Sequence, residues 1–340
     1  YQPQEIVSLL GMTVFKTGEK FENTEIGGLS AITYDTEQDI YYVLSDDRGR
    51  PDDARFYTVR IAPDGSEVTF EDVTFLVDEE GKTVKEGTYD TEGIAFWENS
   101  LFISSEGDAG MIPSRDPGVS KFSLSGERTG QFLIPEKFLP DGNERSGIRT
   151  NKSFEALTIS PNGTLLTTAV ENALVQDGPA ATYENESYSR LIQLDVASMQ
   201  PIAEYVYVTG MIPVDSNASG DNGLVELIAI DNDGKYLALE RSYVSGYGNT
   251  IQLYQANTTG ATEVSGIEAL WQDGSSVDFM PMTKTLLTKL SDLSIDPDNV
   301  EGMALGPVLK DGRRVLVLVS DNNFNDSQET QFIVLAIQLD

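Results

Sequence analysis

A short pattern recurs five times along the chain at nearly even spacing. Four copies begin with glutamate followed by small or apolar residues, and one copy has glycine instead; they begin at Gly27, Glu92, Glu155, Glu226 and Glu301. Consecutive copies lie 63 to 75 residues apart, and 66 residues separate the last copy from the first through the two chain ends. Repeats of this length that fill a whole chain are typical of solenoids and propellers.

Each repeat predicts four antiparallel strands. The recurring pattern begins a first strand, and a turn rich in Gly, Asp and Asn joins it to a second apolar strand. Two more strands follow in each repeat, and for the last repeat the fourth strand comes from residues 6–15. We therefore predict an all-β fold: a β-propeller of five four-stranded blades, closed by the N-terminal strand completing the last blade. The repeats fill residues 1–340, which predicts a single domain.

The fourth repeat leaves an alternative open. Residues 261–270 are predicted as its fourth strand, and residues 282–293 resemble a short helix. A propeller of six blades is the alternative if residues 271–293 contain a further strand pair.

The residue types that the chain lacks restrict its chemistry. Its 340 residues include no histidine and no cysteine. This excludes a Ser-His-Asp triad, a thiolate nucleophile and zinc sites built from these residues. Because a Gly-rich phosphate loop between a strand and a helix is also absent, we expect no haem, nucleotide or zinc as cofactor.

The charge balance indicates which partners the chain can attract. It has 55 acidic and 23 basic residues, a formal net charge of −32. A polyanion such as nucleic acid would be repelled, whereas cations are attracted. Because no apolar run is long enough to cross a bilayer, we expect no membrane span. We expect a monomer that is periplasmic or secreted after removal of a signal peptide; an acid-rich cytosolic protein from a saline habitat is the alternative.

Acidic residues end the predicted second strand of every repeat. These residues are Asp46, Glu106, Glu171, Glu240 and Asp321. Because the first two strands of a blade are antiparallel, these ends lie at the same face as the recurring glutamates. Nine carboxylates are therefore predicted around one mouth of the central channel. Unit charges about 5 Å apart repel by roughly 3 kcal/mol at an effective dielectric near 20, so the ring needs cations or raised pKa values.

A divalent cation is the expected occupant of this mouth. The nearby basic residues, Arg48, Lys152 and Arg241, cannot balance nine carboxylates. Oxygen ligands favour Ca²⁺, with Mg²⁺ or Mn²⁺ as weaker candidates. The predicted metal ligands are Glu92, Glu155, Glu171, Glu226, Glu240, Glu301 and Asn322. The alternative is structural: the glutamates accept hydrogen bonds from the backbone of the next blade and lock the ring.

Several strings in the chain resemble the phytase-like family with esterase-like activity. They are Ser45-Asp-Asp-Arg-Gly49, Thr91-Glu-Gly-Ile94, Asn151-Lys-Ser-Phe-Glu-Ala-Leu157, Val300-Glu-Gly-Met-Ala-Leu-Gly-Pro307 and Val319-Ser-Asp-Asn-Asn-Phe324. The resemblance extends over nearly the whole chain. It implies an exported bacterial propeller that hydrolyses phosphate esters or other esters with a divalent metal.

These observations predict a metal-dependent hydrolase, with Ca²⁺ as the metal and a small anionic or ester substrate. The predicted catalytic residues are Asp46, Arg48, Glu106, Arg241 and Asp321. The two arginines would stabilise developing negative charge, and one of the three carboxylates would act as general acid or base. Two alternatives stay open: a non-catalytic ligand-binding propeller that Ca²⁺ stabilises, and a propeller of the lactonase type.

Overall fold

The computed structural model describes residues 6–46, 52–84, 89–142 and 145–339. Its strands, numbered in chain order, are β1 (Val7–Lys16), β2 (Lys20–Phe21), β3 (Thr24–Glu25), β4 (Leu29–Asp35), β5 (Ile40–Ser45), β6 (Arg55–Ile61), β7 (Val68–Phe75), β8 (Thr91–Trp97), β9 (Ser100–Ser105), β10 (Gly118–Ser123), β11 (Arg128–Gln131), β12 (Phe154–Ile159), β13 (Leu165–Val170), β14 (Ser187–Asp195), β15 (Gln200–Thr209), β16 (Gly220–Ala229), β17 (Lys235–Val244), β18 (Gly248–Asn257), β19 (Trp271–Gln272), β20 (Ser275–Ser276), β21 (Thr283–Lys289), β22 (Asn299–Val308), β23 (Arg314–Asp321) and β24 (Glu329–Ile337). Short 3-10 helices occupy Glu136–Phe138, Val175–Asp177 and Leu290–Leu293. Among the described residues, no helix is long and apolar enough to cross a membrane.

The strands form five antiparallel sheets of four strands each. Blade one is β4 to β7, blade two β8 to β11 and blade three β12 to β15; blade four is β16, β17, β18 and β21, and blade five is β22, β23, β24 and β1. The first strands of the blades, β4, β8, β12, β16 and β22, contact one another in a ring. The predicted five-bladed propeller is therefore confirmed.

The N-terminal strand closes the ring as predicted. Its ladder with β24 runs from Val7 opposite Ile337 to Lys16 opposite Glu329. The same strand contacts blade one, because a Cβ atom on Gly11 would lie 2.2 Å from the Asp64 carbonyl oxygen. Glycine at this position permits the close backbone approach that joins the first and last blades.

Blade four differs from the sequence prediction in its outer strand. The fourth strand is β21, paired with β18, and not residues 261–270. In that segment Val264 and Leu270 are buried against Val206 of blade three, which explains their apolar character without strand pairing. The predicted helix at residues 282–293 is mostly β21, followed by one short 3-10 turn. Strands β19 and β20 pair over two residues each and form no sixth blade in the described part of the chain.

Apolar side chains fill the space between neighbouring blades. One cluster packs Leu237 and Leu253 of blade four against Leu316 and Ile333 of blade five. Sheets covered on both faces have strands that are apolar along nearly their whole length. The middle strands of each blade are accordingly buried almost throughout, which fixes the ring of inner strands that positions the candidate site.

Candidate functional site at the channel mouth

Three of the four recurring glutamates lie at a β-bulge near the start of the inner strands. In blade three, Phe154 pairs with Val170 and Ala156 with Ala169, so Glu155 is the extra residue between them. The ladders of the other blades shift at the same place, and the residues there are Ser30, Glu92, Val225 and Glu301. A bulge redirects the extra side chain, here toward the channel mouth.

The glycines that follow Glu92 and Glu301 have a packing reason. A Cβ atom on Gly93 would lie 2.6 Å from Cβ of Leu157, and one on Gly302 would lie 2.9 Å from Cα of Ala31. Each of these residues therefore faces the inner strand of the neighbouring blade at close range. Neighbouring inner strands could not approach this closely if larger side chains occupied these positions.

Strand register changes the assignment of two predicted residues in blade four. Leu224 pairs with Glu240, and Glu226 with Leu239, so Val225 and not Glu226 occupies the bulge. On the second strand, Arg241 is opposite Gly223 and takes the place that an acidic residue has in the other blades. The mouth is therefore asymmetric, with an arginine where the repeat pattern predicted a fifth carboxylate.

Glu226 lies below the mouth and accepts backbone hydrogen bonds. Its Oε1 accepts the N–H groups of Leu157 at 3.1 Å and Leu227 at 2.9 Å. Burial raises its pKa well above the usual value, while these bonds and one from Met303 oppose the shift. These contacts match the structural alternative, in which a glutamate joins the inner strands of neighbouring blades.

Glu240 and Asn322 are also engaged by other groups. The Glu240 carboxylate is fully buried, accepts the Tyr207 hydroxyl at 2.7 Å and pairs with Lys284. The Asn322 side-chain oxygen accepts the backbone N–H groups of Gly28 at 3.0 Å and Phe324 at 3.1 Å. Neither side chain therefore directs a free ligand oxygen toward the other carboxylates.

Five carboxylates of blades one to three form a group that we call the acidic half. It consists of Asp46, Asp90, Glu92, Glu106 and Glu155. Carboxylate oxygens of Asp46, Asp90 and Glu92 lie within 4.8 Å of one another, as do those of Glu92, Glu106 and Glu155. Asp90 had no place in the sequence prediction, although it lies two residues before a recurring glutamate. Glu92, common to both groups, is only 6% exposed.

Burial and mutual repulsion make this half favour protons or cations. Burial raises the pKa of Glu92 well above its usual value, and the charges of Asp46, Glu155 and Asp90 raise it further. The pKa of Glu155 is likewise raised by burial and then by Glu106. A cation with oxygen ligands would replace those protons, so the donor set fits Ca²⁺, Mg²⁺ or Mn²⁺. Arg48, predicted to act here, lies outside the described residues.

Blades three to five contribute a second group, the arginine half: Lys152, Glu171, Asp221, Arg241 and Glu301. The guanidinium of Arg241 lies 3.4 Å from Glu301, 3.7 Å from Glu171 and 3.8 Å from Asp221. The Lys152 ammonium lies 3.7 Å from Glu171 and 3.9 Å from Asp221. Asp221, which the repeat pattern did not single out, is a member because Arg241 extends toward it. A cavity of 520 Å³ opens beside this group.

Asp321 lies next to the arginine half. Burial and then the charge of Glu301 raise its pKa to about 8, although its Oδ1 accepts the backbone N–H of Asn323 at 2.7 Å. Burial also raises the pKa of Glu301, while Arg241 opposes that shift. At neutral pH a proton is therefore available on Asp321.

A larger cavity of 790 Å³ occupies the opposite end of the channel. Its walls combine apolar side chains such as Leu157 and Leu227 with polar ones such as Glu37 and Arg314. None of the carboxylates of the acidic half lines this cavity. We therefore do not assign the candidate site to it, although its volume is larger. The mouth with its clustered acids is the candidate site.

Comparison with known proteins agrees with the repeat strings. Residues 24–324 match the model of the phytase-like family, described as the esterase-like activity of phytase. The chain belongs to this family. Membership in the phytase-like family and the propeller fold fit a hydrolase. No curated protein matches the chain significantly.

Solved structures match the chain, and a propeller is among them. The "Structure of Dos1 propeller" shares 7% sequence identity over 92% of this chain and 68% of that chain, with a TM-score of 0.38.

We predict that Gly223→Ala displaces the Glu171 carboxylate. The added Cβ would lie 2.0 Å from Oε1 of Glu171, whereas nothing lies within 4 Å of a Cβ on Gly266. Denaturant unfolding should show a loss of about 1–3 kcal/mol in Gly223→Ala and no comparable loss in Gly266→Ala. Equal stability of the two variants would contradict this close approach.

We also predict that the metal-free protein loses stability as pH rises. Because the pKa values of Glu92 and Glu155 are raised, and that of Asp321 is raised to about 8, the folded state holds more protons than the unfolded state from their ordinary values up to the raised ones. Stability is then greatest at the acidic end of this window and declines toward pH 8. The melting temperature in chelator should be several degrees lower at about pH 8 than at about pH 5. A higher melting temperature at the alkaline end would contradict the raised pKa values.

Proposed function

We propose that the chain is a metal-dependent hydrolase of small esters, phosphate esters included, with Ca²⁺ as its metal and the channel mouth as its site. The observation that carries the proposal is the acidic half, where two groups of three carboxylates share Glu92. Such crowding of buried acids is electrostatically costly unless cations or protons compensate it. The esterase-like family supports a hydrolytic use of this arrangement.

The acidic half would hold the metal. Glu92, Glu106 and Glu155 offer three carboxylate oxygens within 4.8 Å of one another, and Asp46 and Asp90 extend the set. Mg²⁺ and Mn²⁺ are the weaker candidates, since Ca²⁺ accepts the larger and less regular sets of oxygen ligands. When bound, such a cation polarises the ester oxygen and lowers the pKa of water at the site.

The arginine half would bind and orient the substrate. Arg241 and Lys152 are the cationic groups beside the 520 Å³ cavity, and they would stabilise negative charge that develops on the ester. Glu155 lies between the two halves, because the charges of Glu106, Glu171 and Arg241 all influence its pKa. Substrate held in the cavity would therefore lie beside the acidic half.

Asp321 would supply a proton to the leaving oxygen. Its pKa of about 8 keeps the carboxyl group protonated at neutral pH. Because Oδ1 accepts the N–H of Asn323, the proton would reside on Oδ2. A general acid with a pKa near the working pH is effective at such a transfer.

The net charge supports a proposal for where the protein acts and on what class of molecule. A net charge of −32 disfavours nucleic acid and suits an exported protein, so we propose a periplasmic or secreted monomer that acts on small molecules. An anionic ester would bind only after a cation has compensated the acidic half.

The test is hydrolysis of p-nitrophenyl phosphate and p-nitrophenyl acetate with Ca²⁺ or with chelator. We expect turnover with Ca²⁺ only, and a loss of about 100-fold or more in Glu155→Gln. Glu98→Gln, which removes one exposed carboxylate at the opposite end of the channel, is the matched control and should keep full activity.

Each other outcome selects a different function. Background rates for both esters, together with a melting temperature that Ca²⁺ raises, would indicate a non-catalytic propeller. Turnover of lactones without turnover of either ester would indicate the lactonase type. Turnover that survives chelation would contradict metal dependence.

A further inference from the structure

The cavity of 790 Å³ at the end of the channel opposite the mouth has an apolar lining from four blades. It includes Ile94, Leu157, Leu227 and Met303, which lie on inner strands and are each at most 2% exposed. Cavities that bind small organic molecules have volumes of about 300–1,000 Å³ and combine an apolar lining with a few polar groups. This lining can therefore cover the apolar body of a small ligand.

Hydrogen-bond donors in the same cavity have no acceptor in the protein. The hydroxyl oxygen of Thr158, which is 7% exposed, accepts the backbone N–H of Ala229 at 2.9 Å. The Thr33 hydroxyl oxygen accepts the N–H of Phe96 at 3.1 Å. Among the described residues, nothing accepts the proton of either hydroxyl or the indole N–H of Trp97. Since a hydroxyl group can donate while it accepts, these protons are available to an acceptor in the cavity.

Arg314 is the basic residue of the described lining, and it has no carboxylate partner. Its Nε and Nη2 donate to the carbonyl oxygen of Gly306 at 3.2 and 2.8 Å, which leaves Nη1. Burial lowers the pKa of Arg314, and no carboxylate is among the groups that oppose this shift. The neighbouring Arg313, in contrast, lies 2.8 Å from a carboxylate oxygen of Asp311. Arg314 can therefore take its counter-charge from a ligand.

The acids of the lining limit the charge that such a ligand can carry. They are Asp35, Glu37 and Glu98, so the formal sum with Arg314 is −2. Asp35 is buried and accepts the backbone N–H of Glu37 at 2.9 Å, whereas Glu37 and Glu98 are exposed, where solvent screens their charge. A ligand with several negative charges is disfavoured here. An ammonium group would be repelled by Arg314 and, having no acceptor, would leave the donors unsatisfied.

We propose that this end of the channel is a second ligand site, which binds a small apolar monocarboxylate. The carboxylate group accepts hydrogen bonds from Nη1 of Arg314 and from the hydroxyl of Thr158, and the apolar body of the ligand covers Leu157 and Leu227. Neither a metal nor hydrolysis enters this statement, so it does not rest on the proposed function.

The test is a fluorescence titration that uses Trp97 as the reporter. Trp97 lines this cavity, whereas the second tryptophan, Trp271, lies outside it beside Tyr188. The full chain carrying Trp271→Phe therefore reports on the cavity alone. The probe is octanoate, compared with octanol, octylammonium and suberate, which have the same chain length and a neutral, a cationic and a doubly anionic character. We expect octanoate to bind with a Kd of about 1 mM or tighter, and each comparison compound at least about tenfold more weakly.

Three variants and a control locate the carboxylate. Arg314→Gln and Thr158→Val should each weaken octanoate binding at least about tenfold, with folding checked by circular dichroism. Thr158→Ser keeps the hydroxyl group and should bind octanoate within about twofold of the unchanged protein. The matched control is Arg313→Gln, because Arg313 does not line the cavity and its guanidinium pairs with Asp311. This variant should bind octanoate as the unchanged protein does.

Several results would overturn the inference. They are no binding of octanoate at concentrations up to about 10 mM, equal or tighter binding of any comparison compound, or unchanged binding in both Arg314→Gln and Thr158→Val. Octanoate binding that Glu155→Gln abolishes and Arg314→Gln preserves would place the carboxylate at the channel mouth and contradict the second site. Ester hydrolysis without octanoate binding would refute this site and leave the proposed function standing. Octanoate binding without hydrolysis of any ester would do the reverse.

Discussion

Carboxylates buried a few ångströms apart repel one another, and the centre of this propeller is built around that repulsion. Oxygens of Glu92, Glu106 and Glu155 lie within 4.8 Å of one another in surroundings that exclude most water. Burial, and then this repulsion, raise the pKa values of Glu92 and Glu155, so these positions favour protons, or a cation where one is available. The packing of the five blades must hold the group together against this cost.

The first two strands of each blade hold these side chains at the channel mouth. A bulge in each inner strand turns one side chain into the mouth, and the end of the neighbouring strand supplies a second. In blade four the same two positions hold Val225 and Arg241, which removes two carboxylates and adds a cation. This departure divides the mouth into an acidic half suited to a metal and an arginine half suited to a polar ligand.

The sequence predicts the repeat architecture well because each blade repeats the same burial pattern. Five blades, the closing strand β1 and seven of the nine predicted carboxylates at the mouth follow from that periodicity: Asp46, Glu92, Glu106, Glu155, Glu171, Glu301 and Asp321. The prediction of the outer strand of blade four was wrong. Burial against blade three gives residues 261–270 the same apolar pattern that strand pairing would give.

The shift of one residue in blade four could not be predicted from spacing. Glu226 supplies a glutamate one position after the bulge, and Glu240 supplies an acid one position before Arg241, so the spacing in the sequence still matches the repeat pattern. Only the pairing of Leu224 with Glu240 reveals that both are displaced. Arg241 belongs to the predicted catalytic set, but its position opposite Gly223 required the strand register.

The most direct measurement is the number of protons released when Ca²⁺ binds, obtained by calorimetry in two buffers of different ionisation enthalpy at neutral pH. If the acidic half exchanges protons for a metal, one Ca²⁺ should bind per chain with release of about one proton. The absence of Ca²⁺ binding, or binding without proton release, would contradict a metal centre assembled from carboxylates that are protonated in its absence.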